Sequence, residues 1–253
     1  MPLQVRQFPC LNDNYGYLIR DEASGQVGSI DSPDAEAILG ELGKLGWTLN
    51  LIMNTHWHPD HAGGNARLQE VTGCKIVGPP EVTRIAPLDR PVGEGDAVEL
   101  GETHFAVMDT GGHTLGHITY YDAADAVAFV GDTMFALGCG RVFEGTHEQM
   151  WTSLSRLAAL PDETLVYCAH EYTAANARFA LSVDGGAAIK ARAKAVFAAR
   201  ERGEPTVPTS IGAEKASNPF LRAPQLKAGL GLPDATDVEA FAAVRQAKDV
   251  FKG

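Results

Sequence analysis

The chain has 253 residues, 45% of them hydrophobic, and its 21 Lys and Arg against 32 Asp and Glu give a net charge of −11. That length suits one large domain or a domain with a smaller one appended, with enough apolar mass for a substantial core. The acidic balance argues against nucleic acid as a partner. No run of 18 apolar residues predicts a membrane span, and the N-terminus lacks the basic-then-apolar order of a secretory signal, so a cytoplasmic location is expected.

In chain order, strand-type runs are predicted at 3–9, 15–20 and 27–31, the first beginning almost at once after the N-terminus. Apolar spacing then predicts a helix over 34–45. Further strands are expected at 49–55, 75–78, 105–110, 118–122, 126–130 and 165–168. Helices over 64–71 and 148–160 lie between them. Mixed hairpins and crossovers of this kind predict an α/β fold whose sheets carry helices on their outer faces. After Tyr172 the texture changes. Residues 174–182, 187–202 and 237–251 are Ala-rich and helical in pattern, while 205–224, rich in Pro, Ser and Gly, reads as a loop. The expected domains are therefore 1–172 and 173–253. Charge divides at the same place: −15 over 1–172 and +4 over 173–253. A cationic segment on an acidic body offers a rim for an anionic ligand. The four cysteines, Cys10, Cys74, Cys139 and Cys168, are scattered, form no C-x-x-C pair and read as reduced cytoplasmic thiols.

The densest chemistry is Thr55-His56-Trp57-His58-Pro59-Asp60-His61. In extended chain, side chains two apart point the same way, so His56 and His58 can converge on one ion. Pro59 suits the first turn of a helix. That turn re-aims Asp60 and His61 elsewhere, so one short segment offers two ligand pairs for two ions. Imidazole and carboxylate suit zinc and similar divalent ions. His113, in Thr110-Gly111-Gly112-His113-Thr114, Asp132, in Phe129-Val130-Gly131-Asp132-Thr133, and His170 each lie at or just after a strand end. Loops gather over a rigid sheet there. A carboxylate has two oxygens and can bridge two ions, which marks Asp132. Gly111 and Gly112 would let backbone approach the site closely. His117 reads as a hydrogen-bonding partner of the ligands, and His104 and His147 as surface or helix-start residues. Two divalent ions can lower the pKa of a bridging water toward neutrality and polarise a carbonyl, which predicts a metal-dependent hydrolase.

These residues resemble the metallo-β-lactamase superfamily, whose T-H-x-H-x-D-H, H-T-x-G-H, G-D-T and late-His segments occur here in the same order. The resemblance implies a four-layer αβ/βα sandwich with a C-terminal helical domain. Within it, residues 9–18, Gly138-Cys139-Gly140-Arg141-Val142-Phe143-Glu144-Gly145, His170-Glu171-Tyr172-Thr173, Asn218-Pro219-Phe220-Leu221-Arg222 and Arg245-Gln246-Ala247-Lys248-Asp249 resemble the glyoxalase II family. This likeness spans almost the whole chain. It implies that His56, His58 and His113 bind one metal, that Asp60, His61 and His170 bind the second, and that Asp132 bridges. The ions implied are zinc, with iron or manganese also suited to the donors.

The same resemblance assigns Arg141, Phe143, Tyr172, Arg245 and Lys248 to the glutathione moiety, and Asp60 and Asp132 to catalysis. It implies hydrolysis of S-D-lactoylglutathione and related glutathione thioesters, the second step in detoxifying methylglyoxal, by a monomer with no nucleic-acid or membrane partner. Arg141 stands where many relatives have Lys, Phe143 where Tyr is common, and Gly111 where Pro is frequent. Two other enzyme classes share much of the ligand pattern: a glutathione persulfide dioxygenase using one iron, and a lactonase or β-lactamase. A non-catalytic binding module would usually have lost ligands, and all seven are present.

Overall fold

The computed structural model describes residues 3–253, and the chain divides into two compact units. The first runs to Asp109 and resumes from Gly116 to Gly131. The second comprises Thr110–Leu115 and Asp132–Gly253.

In the first unit one sheet has the order β1 (Leu3–Cys10), β2 (Asn14–Asp21), β3 (Val27–Ile30), β4 (Leu49–Met53), β5 (Lys75–Gly78) and β6 (Arg90–Pro91). The pairs β1–β2 and β2–β3 are antiparallel, and those from β3 to β6 are parallel. Parallel neighbours need a crossover, and helix α1 (Ala35–Leu45) supplies the one between β3 and β4. Asp34 starts α1 by accepting from the amides of Glu36 and Ala37, and Gly46 ends it in the left-handed region at φ 65°. Its buried Ile38 and Leu42 pack with Leu18, Leu49, Ile52 and Ile76 of the sheet. Burying each such side chain is worth about 1.5–3 kcal/mol.

Short helices α2 (Pro59–Ala62) and α3 (Asn65–Thr72) follow β4. An antiparallel meander, β7 (Ala97–Leu100), β8 (Thr103–Asp109), β9 (Ile118–Asp122) and β10 (Val127–Gly131), completes the unit. The backbone amide of Ile118 donates to the Thr55 carbonyl at 2.9 Å, joining the start of β9 to the loop after β4.

The second unit carries the hairpin β11 (Met134–Phe135) and β12 (Gly138–Cys139), then α4 (His147–Ala158), β13 (Leu165–Cys168), α5 (Thr173–Val183), α6 (Ala187–Glu201), β14 (Thr209–Ser210), α7 (Ile211–Ser217), α8 (Ala223–Leu226) and α9 (Asp237–Val250). Small residues Ala177, Ala180 and Ala193 let α5 and α6 pack closely around Leu137, Ile189 and Val196. A capping box of Thr236 and Glu239 starts α9.

Strands at 75–78, 118–122 and 165–168 match the sequence reading residue for residue, and the other predicted elements shift by one or two residues at their ends. The N-terminal strand is described from Leu3; residues 1 and 2 lie outside the described residues. The expectation of a loop over 205–224 is corrected, since that stretch holds β14, α7 and α8. Helix α7 buries Ile211, Glu214 and Ser217, two of them polar, so no apolar periodicity announced it. Gly112 also has a packing role that the sequence reading did not foresee. A Cβ on Gly112, whose φ is 138°, would lie 2.8 Å from Met150 Cα, so this glycine admits helix α4.

Candidate metal centre

The first unit builds its part of the site on two parallel strand ends. Ile30 is in register with Met53, so Asp31 and Thr55 emerge side by side. Asp31, buried and at φ 56°, accepts from the Thr55 amide at 2.7 Å, the Thr55 hydroxyl at 2.8 Å and His61 Nδ1 at 2.8 Å. Thr55 has one hydroxyl proton and gives it to Asp31. Its oxygen therefore accepts from His56 Nδ1, 3.0 Å away. Both imidazoles are thus held with the proton on Nδ1 and the lone pair on Nε2, the arrangement in which histidine binds metal.

His56 Nε2 faces His58 Nδ1 at 3.1 Å, and His61 Nε2 lies 3.7 Å from Asp60 Oδ2. Asp60 in turn accepts from Asn14 Nδ2, at both its carboxylate and its carbonyl, at 3.2 Å each. The His61 carbonyl accepts from the Ser32 amide at 2.7 Å and from Asn54 Nδ2 at 2.9 Å, which pins α2. His117 is fully buried and stacks on His56 with ring centroids 4.8 Å apart.

The second unit supplies His113, Asp132 and His170, all buried. His113 Nδ1 donates to the Arg141 carbonyl at 2.8 Å, which places the lone pair on Nε2. The two oxygens of Asp132 face different histidines: Oδ2 lies 3.4 Å from His113 Nε2, and Oδ1 lies 3.4 Å from His170 Nε2. A divalent ion with bonds of about 2.0–2.2 Å in tetrahedral array sets neighbouring donors about 3.3–3.5 Å apart. The two 3.4 Å separations at Asp132 match that spacing, and those of 3.1 and 3.7 Å in the first unit lie just to either side of it; neutral nitrogen with carboxylate oxygen is a donor set suited to such an ion.

The residues assigned to glutathione lie close by in the second unit. Tyr172 stacks on His170 with centroids 4.7 Å apart and rings parallel within 1°. Phe143, 60% exposed, has its ring 5.2 Å from His113. Arg141 is open to solvent and pairs through Nε with Asp249 at 3.4 Å. Arg245 is buried on the inner face of α9 and donates to the Cys139 carbonyl at 2.9 Å and to Asp249 at 3.0 Å. Lys248 donates to the Ala175 carbonyl at 3.3 Å and sits over the Phe179 and Phe251 rings. Burial lowers its ammonium from the ordinary lysine value, and Arg245 and Arg178 add to the effect.

Sequence reasoning missed Asp31 and Asn14 as hydrogen-bond partners of His61 and Asp60. Their signal was faint: Asp31 ends a strand one residue before Ser32, and Asn14 lies within a segment noted only as a resemblance. His104 pairs with Glu99 on the surface, and His147 opens α4. All four cysteines are buried, none is in a disulfide among the described residues, and burial raises Cys139 to about 11. None of the described helices is long and apolar enough to cross a membrane.

The metallo-beta-lactamase superfamily model matches residues 27–170, and the hydroxyacylglutathione hydrolase C-terminus model matches residues 171–251. The chain is 55% identical over 253 residues to a hydroxyacylglutathione hydrolase of Maricaulis maris, covering 98% of this chain and 99% of the relative. It is 53% identical over 252 residues to one of Erythrobacter litoralis, covering 98% and 100%. Among solved structures it is similar to ETHE1 from Myxococcus xanthus, with a TM-score of 0.70 and 31% identity over 96% of this chain and 90% of that one. These likenesses, with mixed sheets flanked by helices and a helical C-terminal region, establish the α/β sandwich.

Proposed function

The chain belongs to the hydroxyacylglutathione hydrolases of the metallo-beta-lactamase superfamily, and on that footing we propose that the ligand sets of both units serve one pair of divalent ions. It is a metal-dependent hydrolase of glutathione thioesters, with S-D-lactoylglutathione as the expected substrate. His56, His58 and His113 take the first ion, Asp60, His61 and His170 the second, and Asp132 bridges them. Imidazole and carboxylate donors at these seven positions support that reading. The observation that carries the reading is Asp132, whose two oxygens each address a different histidine at 3.4 Å. Zinc is the proposed metal, because imidazole nitrogen and carboxylate oxygen at these spacings suit it.

When bound, the ions supply the Lewis acidity that makes water a nucleophile near neutral pH. The remaining work falls to the chain. Asp31, Thr55 and the Arg141 carbonyl hold His61, His56 and His113 in the ligating tautomer. Asp60, steadied by Asn14, orients the attacking water. Arg141, Tyr172, Arg245 and Lys248 receive the carboxylates and peptide of glutathione, with Phe143 covering its apolar parts and Arg245 also fixing the loop that carries Arg141. Glutathione departs as a thiolate, a better leaving group than an amine, so no general acid is required of the protein.

The boundary proposed near residue 172 is supported by the change of family match at 170–171. We further propose a monomer acting in the cytoplasm. The test is elemental analysis run beside a thioester assay. Full-length protein should hold two metal ions per chain and hydrolyse S-D-lactoylglutathione, with activity lost to chelator and restored by Zn²⁺. Metal-replete protein that turns over no glutathione thioester would refute the assignment.

A further inference from the structure

Helix α9 buries Ala240, Phe241, Val244 and Arg245 on one face. Arg245 is the charged member of that face, its guanidinium lying over the Phe220 ring at 5.0 Å. Its Nη1 donates to the Cys139 carbonyl at 2.9 Å, and its Nη2 donates to Asp249, one turn further on, at 3.0 Å. The same Asp249 oxygen faces Arg141 Nε at 3.4 Å. The helix therefore grips the segment Cys139-Gly140-Arg141 at both ends.

That segment presses on two of the proposed metal ligands. A Cβ on Gly140 would collide with the Asp132 carbonyl oxygen and stand 3.1 Å from His113 Nδ1. The Arg141 carbonyl is the acceptor for His113 Nδ1 at 2.8 Å. A shift of the segment would lengthen that bond, free the ring to rotate, and allow the proton to occupy Nε2, where it blocks the ligating lone pair.

We propose that Asp249 is a positioning residue for His113, acting through Arg141 and Arg245 to hold the carbonyl that fixes the histidine's tautomer. The C-terminal helix then tunes the metal shell as well as facing the substrate. This rests on the reading of His113 as a metal ligand. Removing a hydrogen-bond partner of a ligand typically weakens metal binding 10- to 100-fold. Asp249 acts at one further remove, so the expected loss is about three- to tenfold.

The experiment is Zn²⁺ competition against a chromogenic chelator on the full-length chain, comparing wild type, D249N, D249E, R141M and the D249N/R141M double variant. D162N, which breaks a surface ion pair with Lys215, is the control. D249N and R141M should each weaken zinc binding about three- to tenfold. The double variant should lose little more than either alone, because both cut one tether. D249E should recover most of the loss, and D162N should bind as wild type does. By NMR, the His113 Nδ1 proton should exchange with water faster in D249N. If D249N does not fold, R141M carries the test, since it keeps the backbone carbonyl. Zinc affinity unchanged in both single variants would overturn the proposal, even if KM rises or Tm falls. So would an equal loss in D162N. A wild-type chain that binds no zinc would sink the metal reading itself, which is a separate outcome.

Discussion

Replacing Asp31 by Asn tests whether hydrogen bonds behind the ligands set their chemistry. Asp31 is buried at φ 56°, a conformation Asn tolerates, so D31N changes hydrogen bonding with little backbone strain. The remaining Asn oxygen can still accept from the Thr55 amide, as Oδ1 does now at 2.7 Å. The new NH₂ replaces Oδ2, which accepts from both the Thr55 hydroxyl and His61 Nδ1 at 2.8 Å. Donor would then face donor at His61. The ring relieves this by moving its proton to Nε2, the atom needed for metal. The lost bond to a charged group is worth about 1.5–3 kcal/mol. A 10- to 100-fold fall in metal affinity corresponds to about 1.4–2.7 kcal/mol, so the two figures agree. Chelator competition should show one of the two proposed Zn²⁺ ions bound 10- to 100-fold more weakly in D31N, with activity recovered at high free zinc. Two ions held with wild-type affinity would refute the tautomer reasoning.

Glu214 is fully buried and accepts from Arg192, from the Thr209 hydroxyl at 2.6 Å, from the Leu137 amide at 2.8 Å and from Asn218 Nδ2 at 2.9 Å. E214Q leaves the Arg192 charge without its counterion. It should cost about 3–5 kcal/mol in denaturant unfolding, with the loss seen in midpoint rather than slope. Burial pushes the Asp21 carboxyl up, but hydrogen bonds from Ser24, the Glu102 amide and Thr103 outweigh it and bring it to about 2 from 3.8. A lowered carboxyl stabilises the fold above its unfolded value and loses that contribution as pH falls. The stability gap between wild type and D21N should therefore be constant above pH about 5 and shrink between about 4 and 2, measured by urea midpoints. The lowered Lys248 ammonium loses its charge as pH rises, before an ordinary lysine would. KM for S-D-lactoylglutathione should climb on the alkaline side below 10.5, and K248R should flatten that rise.

The residues proposed as ligands stood out because their chemistry is local. His56 and His58 face each other through the two-residue period of extended chain, and Pro59 begins α2 as its fixed φ favours. Strand ends were equally visible, as the positions of Asp132 and His170 show. What escaped were groups whose meaning lies across long stretches of chain. Asp31 is 24 residues from Thr55 and 30 from His61, and a single aspartate gives no periodic signal. Helix α7 was hidden for a related reason. Its buried face is organised by Glu214 and the Ser210 cap, so Pro and Ser around it outweighed its short helical span. Arg245 was read only as a substrate contact, and a resemblance between motifs gives no indication of the bonds to Cys139 and Asp249 that it also makes.

The hydrogen bond between Arg245 and the Cys139 carbonyl joins residues 106 apart in the chain. On a ribosome adding about 5–20 residues per second, the acceptor emerges several seconds before its donor is made. Until α9 follows, the segment that braces His113 lacks its grip. A nascent chain can fold both strand-end ligand clusters early and still be an immature catalyst, and the order of synthesis then delays full activity until helix α9 has been made.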